Sequence, residues 1–204
     1  MMFDADKTSR RGFLGGLTGV GLLGFVPTKV WALDEARSMA LVDRVVNDIN
    51  RVIASGKSES AMIRDFERIF GRYADVSIIA RSALGADSRR ASNAQLRSFT
   101  KAFQGYVARK YGKQFRDFIG SQIEVKGVRR VKTWHEVDAT VRLSGRSPFK
   151  VAFLVSDRSG KDLFFDLMIE GVSMRISERS EIGALLDANN GDIDKLISAV
   201  QRAG

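Results

Sequence analysis

The chain has no cysteine, one histidine and two prolines among 204 residues. Without cysteine there is no disulfide framework, no thiolate metal site and no cysteine nucleophile. The single histidine, His135, excludes a histidine-rich zinc site and leaves any histidine-dependent catalytic triad resting on one residue. The two prolines mark no proline-rich linker, and the sequence shows no internal repeat and no low-complexity tract. What is plentiful is positive charge and apolar side chains. Thirty-three lysines and arginines against 24 acids leave +9, and 44% of residues are hydrophobic, too many for a disordered chain. The length fits one domain, or one domain and a leader. A charge of +9 fits a nucleic-acid or anionic-membrane partner, and the compartment decides between them.

The N-terminus reads as a leader. Thr8 to Leu14 runs Thr-Ser-Arg-Arg-Gly-Phe-Leu, and the pair Arg10-Arg11 resembles a twin-arginine export signal, with Gly15 where a lysine is usual. Gly12 to Thr28 follows as 17 uncharged residues, six of them glycine. That is shorter than the ~20 apolar residues of a membrane span. Val30-Trp31-Ala32 offers a cleavage site after Ala32, so residues 1–32 are expected to be a signal peptide and 33–204 a single domain. The alternative is an uncut N-terminal anchor. Cleavage removes four bases and two acids and leaves +7. An exported protein meets no genomic nucleic acid. Its charge then suits acidic headgroups or an acidic partner, or serves solubility alone.

Residues 34–54, 58–73, 75–84 and 92 onward carry apolar stripes at helical spacing. Ser92 and Gln95 form a capping-box pair at the start of the fourth stripe. Its other face is basic, with Arg97, Lys101, Arg109, Lys110 and Lys113. Beyond Gly120 the period becomes two. Strands are expected at Ile123–Val128, Val137–Leu143, Phe149–Val155, Leu163–Ile169 and Val172–Ile176, with a bulge at Gly171. Two closing helices are expected at Arg179–Ala188 and Ile193–Arg202. Short links between strands predict a largely antiparallel sheet. The fold class is therefore α+β, with amphipathic helices packed around a curved sheet. The apolar faces fill an ordinary core or enclose a cavity, and periodicity alone fits both.

No polar constellation points to a reaction. His135 at the head of an alternating strand reads as a surface or pairing residue. The acid pairs Asp65/Glu67, Glu178/Glu181 and Asp192/Asp194 read as complements to helix dipoles.

The segment Phe165-Asp166-Leu167-Met168-Ile169-Glu170-Gly171-Val172-Ser173-Met174 resembles the signature of the MlaC, or toluene-tolerance, family. The likeness continues through Arg179-Ser180-Glu181-Ile182, Leu185-Leu186 and Gly191-Asp192-Ile193-Asp194. It extends back over Leu84-Gly85, Ala91-Ser92, Gln95, Phe99, Ala102-Phe103 and Tyr111-Gly112, so that it spans about Ala36 to Val200. It departs at Asp162-Leu163, where relatives carry a tryptophan. The resemblance implies a periplasmic phospholipid-binding shuttle, not an enzyme. Such a shuttle carries lipid between an outer-membrane lipoprotein complex and an inner-membrane ABC transporter with its substrate-binding ring. Phospholipid is then cargo, and no cofactor is implied.

Exposing one methylene to water costs about 0.8 kcal/mol, so about 30 methylenes cost on the order of 25 kcal/mol. A carrier must therefore enclose its chains, in a pocket at or above the upper end of the usual ~300–1,000 Å³. From the pattern, the expected wall is Phe66, Phe70, Tyr73, Ile79, Phe99, Phe103, Tyr106, Val141, Val151, Phe153, Leu167, Ile169, Val172 and Met174. Each fits a plain core equally well. Gly171 and Glu170 are read as structural, with Glu170 pairing a nearby base. Three alternatives stay open: an envelope adaptor that holds no ligand, a carrier of another apolar lipid such as a hopanoid, and an enzyme using His135 or a buried acid as base.

Overall fold

A computed structural model describes residues 33–204 except Ser144, and leaves out the side chains of Phe115 and Arg116. The expected leader, with its paired arginines and cleavage site, lies outside the described residues.

Among the described residues, six α-helices and five strands follow the expected order. They are α1 (Glu35–Ile53), α2 (Glu59–Tyr73), α3 (Val76–Leu84), α4 (Asn93–Gly112), β1 (Gln122–Val131), β2 (Trp134–Arg142), β3 (Phe149–Ser156), β4 (Leu163–Ile169), β5 (Val172–Ser173), α5 (Met174–Ala188) and α6 (Ile193–Arg202). A 3-10 turn over Lys113–Phe118 links α4 to β1. The caps explain several starts. Asp34 Oδ1 accepts the Arg37 N–H at 2.8 Å, and Ser92 and Gln95 form the reciprocal capping box that the sequence predicts.

The sheet is an open antiparallel meander in the order β1-β2-β3-β4-β5. Cross-strand rows put Ile123, Val141 and Phe149 on one face, followed by Val125, Ala139, Val151, Ile169 and Val172. This is the inner face, and α1 lies across β1, β2 and β3. The α2–α3 link covers the free edge of β4 where β5 stops short. Ala74 bridges Phe164, and the Asp75 N–H donates to the Phe164 carbonyl at 2.8 Å.

Two local expectations are corrected. Gly171 is not a bulge. Glu170 and Gly171, both at positive φ (50° and 78°), are the two central residues of a tight hairpin that pairs Ile169 with Val172. The bulges lie elsewhere, between Val125 and Gly127 and opposite Leu154/Val155, where β4 carries Phe165 as the extra residue. Nor does a strand run from Val172 to Ile176. The Ser173 hydroxyl accepts the Ile176 N–H at 3.2 Å and starts α5 at Met174, five residues before the expected start at Arg179.

Asp166 fixes that junction. Its carboxylate takes the Ser173 hydroxyl at 2.6 Å and the Arg175 N–H at 3.0 Å, which ties β4 to the first turn of α5. The Glu170 carboxylate accepts the Lys150 backbone N–H and forms no ion pair with a base among the described residues.

Candidate functional site

The helices do not seal completely onto the sheet. Between them lies a cavity of about 200 Å³. Val45 and Ile49 of α1, Phe66, Ile69 and Phe70 of α2, and Val107 and Tyr111 of α4 form one wall. Gln114 and Phe118 of the 3-10 turn close one end. The sheet supplies Ile123, Val141, Phe149, Val151, Phe153, Phe164, Leu167 and Ile169, and Met174 completes the lining at the start of α5. Val45, Phe70, Val107, Phe153 and Phe164 are buried, whereas Phe118, Ile123, Phe149 and Ile169 are half-buried and Gln114 is exposed. The cavity therefore opens at the end of the sheet nearest the 3-10 turn.

Its walls are aromatic rings in edge and tilted contacts. Phe164 meets Phe153 at 5.6 Å and Phe70 at 6.1 Å between centroids, and Phe118 meets Phe149 edge-on at 6.5 Å. Gln114 is the one lining side chain with a free polar group among the described residues. The Tyr111 hydroxyl is already spent on Glu178. Such a lining offers burial of apolar surface and nothing that would move a proton or hold a metal. Among the described residues no cluster of acids and histidine has metal-ligand grouping, and no helix is long and apolar enough to cross a membrane.

Eight of the expected wall residues come together here: Phe66, Phe70, Val141, Val151, Phe153, Leu167, Ile169 and Met174. Six stand away from the cavity. Tyr73 is buried and donates to Asp48 at 2.8 Å. Ile79 is fully enclosed on α3. Phe99, Phe103 and Tyr106 follow one another along α4, which packs mainly against α2, α3 and α6. Val172 is 60% exposed at the short edge strand. The cavity of about 200 Å³ is also smaller than expected, because large rings project into it from both walls.

Several lining residues, Val45, Ile49, Ile69, Val107, Tyr111, Ile123 and Phe149, belong to stripes legible in the sequence. Phe164 does not, because simple alternation from Leu167 points it outward. The bulge at Phe165 turns it in. Phe118 and Gln114 sit in a non-periodic turn and give no sequence signal.

Behind Tyr111 lies a polar cluster that contradicts two sequence expectations. Lys110 is not on a solvated basic face, and Glu178 and Glu181 are not dipole complements in a first turn. Lys110 Nζ binds Glu178 Oε1 at 2.8 Å and Glu181 Oε1 at 2.5 Å, while Tyr106 donates to Glu181 at 2.7 Å. Glu178 is wholly buried. Arg109 is likewise engaged, donating to the carbonyls of Val200 and Ala203 at the end of α6. Bonds from Lys110 and Tyr106 hold the Glu181 carboxyl below its ordinary range. His135 is buried on the inner face, not at the surface, and its Nδ1 has no hydrogen-bond partner among the described residues, so nothing bonded to that nitrogen orients the ring as a base.

Comparison with known proteins agrees with this architecture. No curated protein sequence matches the chain. Among solved structures, the phospholipid-binding protein from Ralstonia solanacearum, determined in complex with a phospholipid, has a similar fold. Its TM-score is 0.69 at 17% identity, over 80% of this chain and 94% of that one. The family profile described as MlaC protein matches residues 40–202, from early α1 to the end of α6, and the chain belongs to the MlaC family.

Proposed function

We propose that the protein is a phospholipid carrier of the periplasm, the soluble component of an ABC-type lipid transport system. The observation that carries this reading is the apolar cavity between helices and sheet, which opens at one end and presents, among the described residues, a single free polar side chain. Membership in the MlaC family and the phospholipid bound by the Ralstonia relative support the choice of cargo. Acyl chains seated against Phe70, Phe153 and Phe164 would leave the headgroup beside Gln114. Two chains exceed about 200 Å³, so loading parts the aromatic walls of α2 and the 3-10 turn from the sheet.

On this reading, residues 1–32 are a twin-arginine-type signal cleaved after Ala32. The partners are an inner-membrane ABC transporter with its substrate-binding ring and an outer-membrane lipoprotein complex. No reaction and no cofactor are assigned. Lipid extracted from the protein purified out of a bacterial envelope and analysed by mass spectrometry should be phospholipid near one molecule per chain. Absence of any lipid, together with no transfer from labelled vesicles, would refute the carrier.

A further inference from the structure

The outer face of the sheet is polar along β1 and β2 and mixed along β3 and β4. Its rows run Glu124, Thr140 and Lys150, then Gly127, Asp138, Ala152, Met168 and Ser173, then Arg129, Glu136, Leu154 and Asp166. At the end where β2 begins and β3 finishes, the character changes. Trp134 and Leu163 take the outward positions, and the β4 bulge turns Phe165 to the same side. Asp75 and Ile78 at the start of α3 and Arg175 of α5 close over them. Together they line a second pocket of about 270 Å³ on the opposite face.

Nothing in the carrier reading uses this pocket. Trp134 and Phe165 meet edge-on there at 6.0 Å between centroids, an apolar floor under the ends of α3 and α5. The polar groups around them are mostly donors. Trp134 Nε1 is buried and has no acceptor among the described residues, an uncommon condition for an indole N–H. Arg158 stands exposed at the lip and forms no ion pair among the described residues. The Arg175 guanidinium lies 5.5 Å from the Phe165 ring centre, with Nε 3.7 Å from Asp166. One carboxylate, Asp75, lines the pocket, and its Oδ1 already accepts the Ile78 N–H at 3.1 Å.

We propose that this pocket is a second binding site, for a small amphiphilic anion. An apolar body of one or two rings would rest on Leu154, Leu163 and Phe165. A carboxylate or phosphate would reach Arg158 and offer an oxygen toward Trp134 Nε1. A pocket of about 270 Å³, close to the lower end of the ~300–1,000 Å³ usual for ligand sites, suits a body of one or two rings.

The chain has two tryptophans, Trp31 and Trp134, so the fluorescence reports this pocket alone in the processed protein, which has lost Trp31 with the leader, and in an uncut chain carrying Trp31→Phe. Titration with phenylpropionate or with phenyl phosphate should change Trp134 emission saturably, and the preferred probe distinguishes a carboxylate from a phosphate ligand. Arg158→Gln, at an exposed position that the fold does not need, should weaken binding by about tenfold or more. Neutral phenylpropionamide should bind weaker by a similar factor. Val151→Phe, which obstructs the inner cavity, should leave the titration unchanged. Four results would overturn the proposal: no saturable change up to millimolar probe, equal affinity in Arg158→Gln, equal affinity for the amide, or loss of the signal in Val151→Phe.

Discussion

Tyr111 donates its hydroxyl to Glu178 at 2.7 Å, so a wall of the apolar cavity is anchored to a carboxylate with no solvent contact. Lys110 shares the same oxygen, and Glu178 Oε2 has no partner among the described residues. A buried carboxylate in this setting depends on its countercharge, and removing one partner of such a pair costs about 3–5 kcal/mol. Lys110→Met should therefore lower stability by about 3 kcal/mol or more. For a domain of this size that is roughly 6–12 °C in midpoint by circular dichroism melting. Adding Glu178→Leu should recover most of the loss. A loss under about 1 kcal/mol would reduce the pair to the standing of a surface ion pair.

The same cluster should make the protein alkali-sensitive. Burial, and then the Glu181 and Glu178 carboxylates, push the Tyr106 hydroxyl far above the ordinary tyrosine range, and burial with the bond to Glu178 does the same for Tyr111. Burial pulls Lys110 down, but its bonds to Glu178 and Glu181 outweigh that and raise it. All three keep their protons in the fold longer than in the unfolded chain, where they titrate near about 10. Their contribution is complete below that pH and is lost as pH rises toward the folded values, because the unfolded chain then binds fewer protons. Urea midpoints measured from about pH 9 to 11 should fall, and fall less steeply in Tyr111→Phe. Identical slopes would remove Tyr111 from the linkage.

The fold was legible because each stripe had one period. The stripes of α1 and α2, the Ser92/Gln95 box and the alternation through β2 and β3 each specify an element without tertiary help. The cavity was legible only in part, since a side chain facing a void and one facing a neighbour have the same hydropathy. Phe103 and Phe70 look alike in sequence. They differ because Phe103 is buried on a stretch of α4 that packs among helices, whereas Phe70 meets Phe164 of β4. Bulges hid Phe164, and a two-residue turn at positive φ hid the true end of the last hairpin. The Lys110–Glu178 pair was invisible because its partners lie 68 residues apart.

Two helical glycines should respond oppositely to alanine. At Gly112 a Cβ would come within 2.8 Å of Ile63 Cγ1, with the Ile63 Cα only 3.4 Å away, so α2 and α4 would have to separate. Gly112→Ala should cost about 1–3 kcal/mol despite its better helix propensity. At Gly183 in α5 nothing lies within 4 Å of the added atom. There the propensity gain stands alone, and Gly183→Ala should stabilise by about 0.5–1 kcal/mol. Denaturant midpoints of the two variants decide the matter, and a stabilising Gly112→Ala would show that the α2–α4 contact is looser than this spacing implies.

The carrier reading is tested most sharply by two enlargements at positions the sequence could not tell apart. Val151 lines the cavity, so Val151→Phe adds a ring to a space of about 200 Å³. Filling an apolar void leaves stability unchanged or raises it by about 0.5–2 kcal/mol. Phe103 is fully buried, with Phe99 at 5.9 Å and Tyr106 at 6.0 Å between ring centroids, and it does not line the cavity between helices and sheet. Phe103→Trp overpacks the helices and should cost about 1–3 kcal/mol. Lipid content runs the other way. Mass spectrometry should find phospholipid reduced severalfold in Val151→Phe, because the added ring occupies the volume the chains need. Phe103→Trp, where it folds, should retain its lipid. Full occupancy in a folded Val151→Phe protein would mean that the chains lie elsewhere, and the cavity between helices and sheet would lose its assignment.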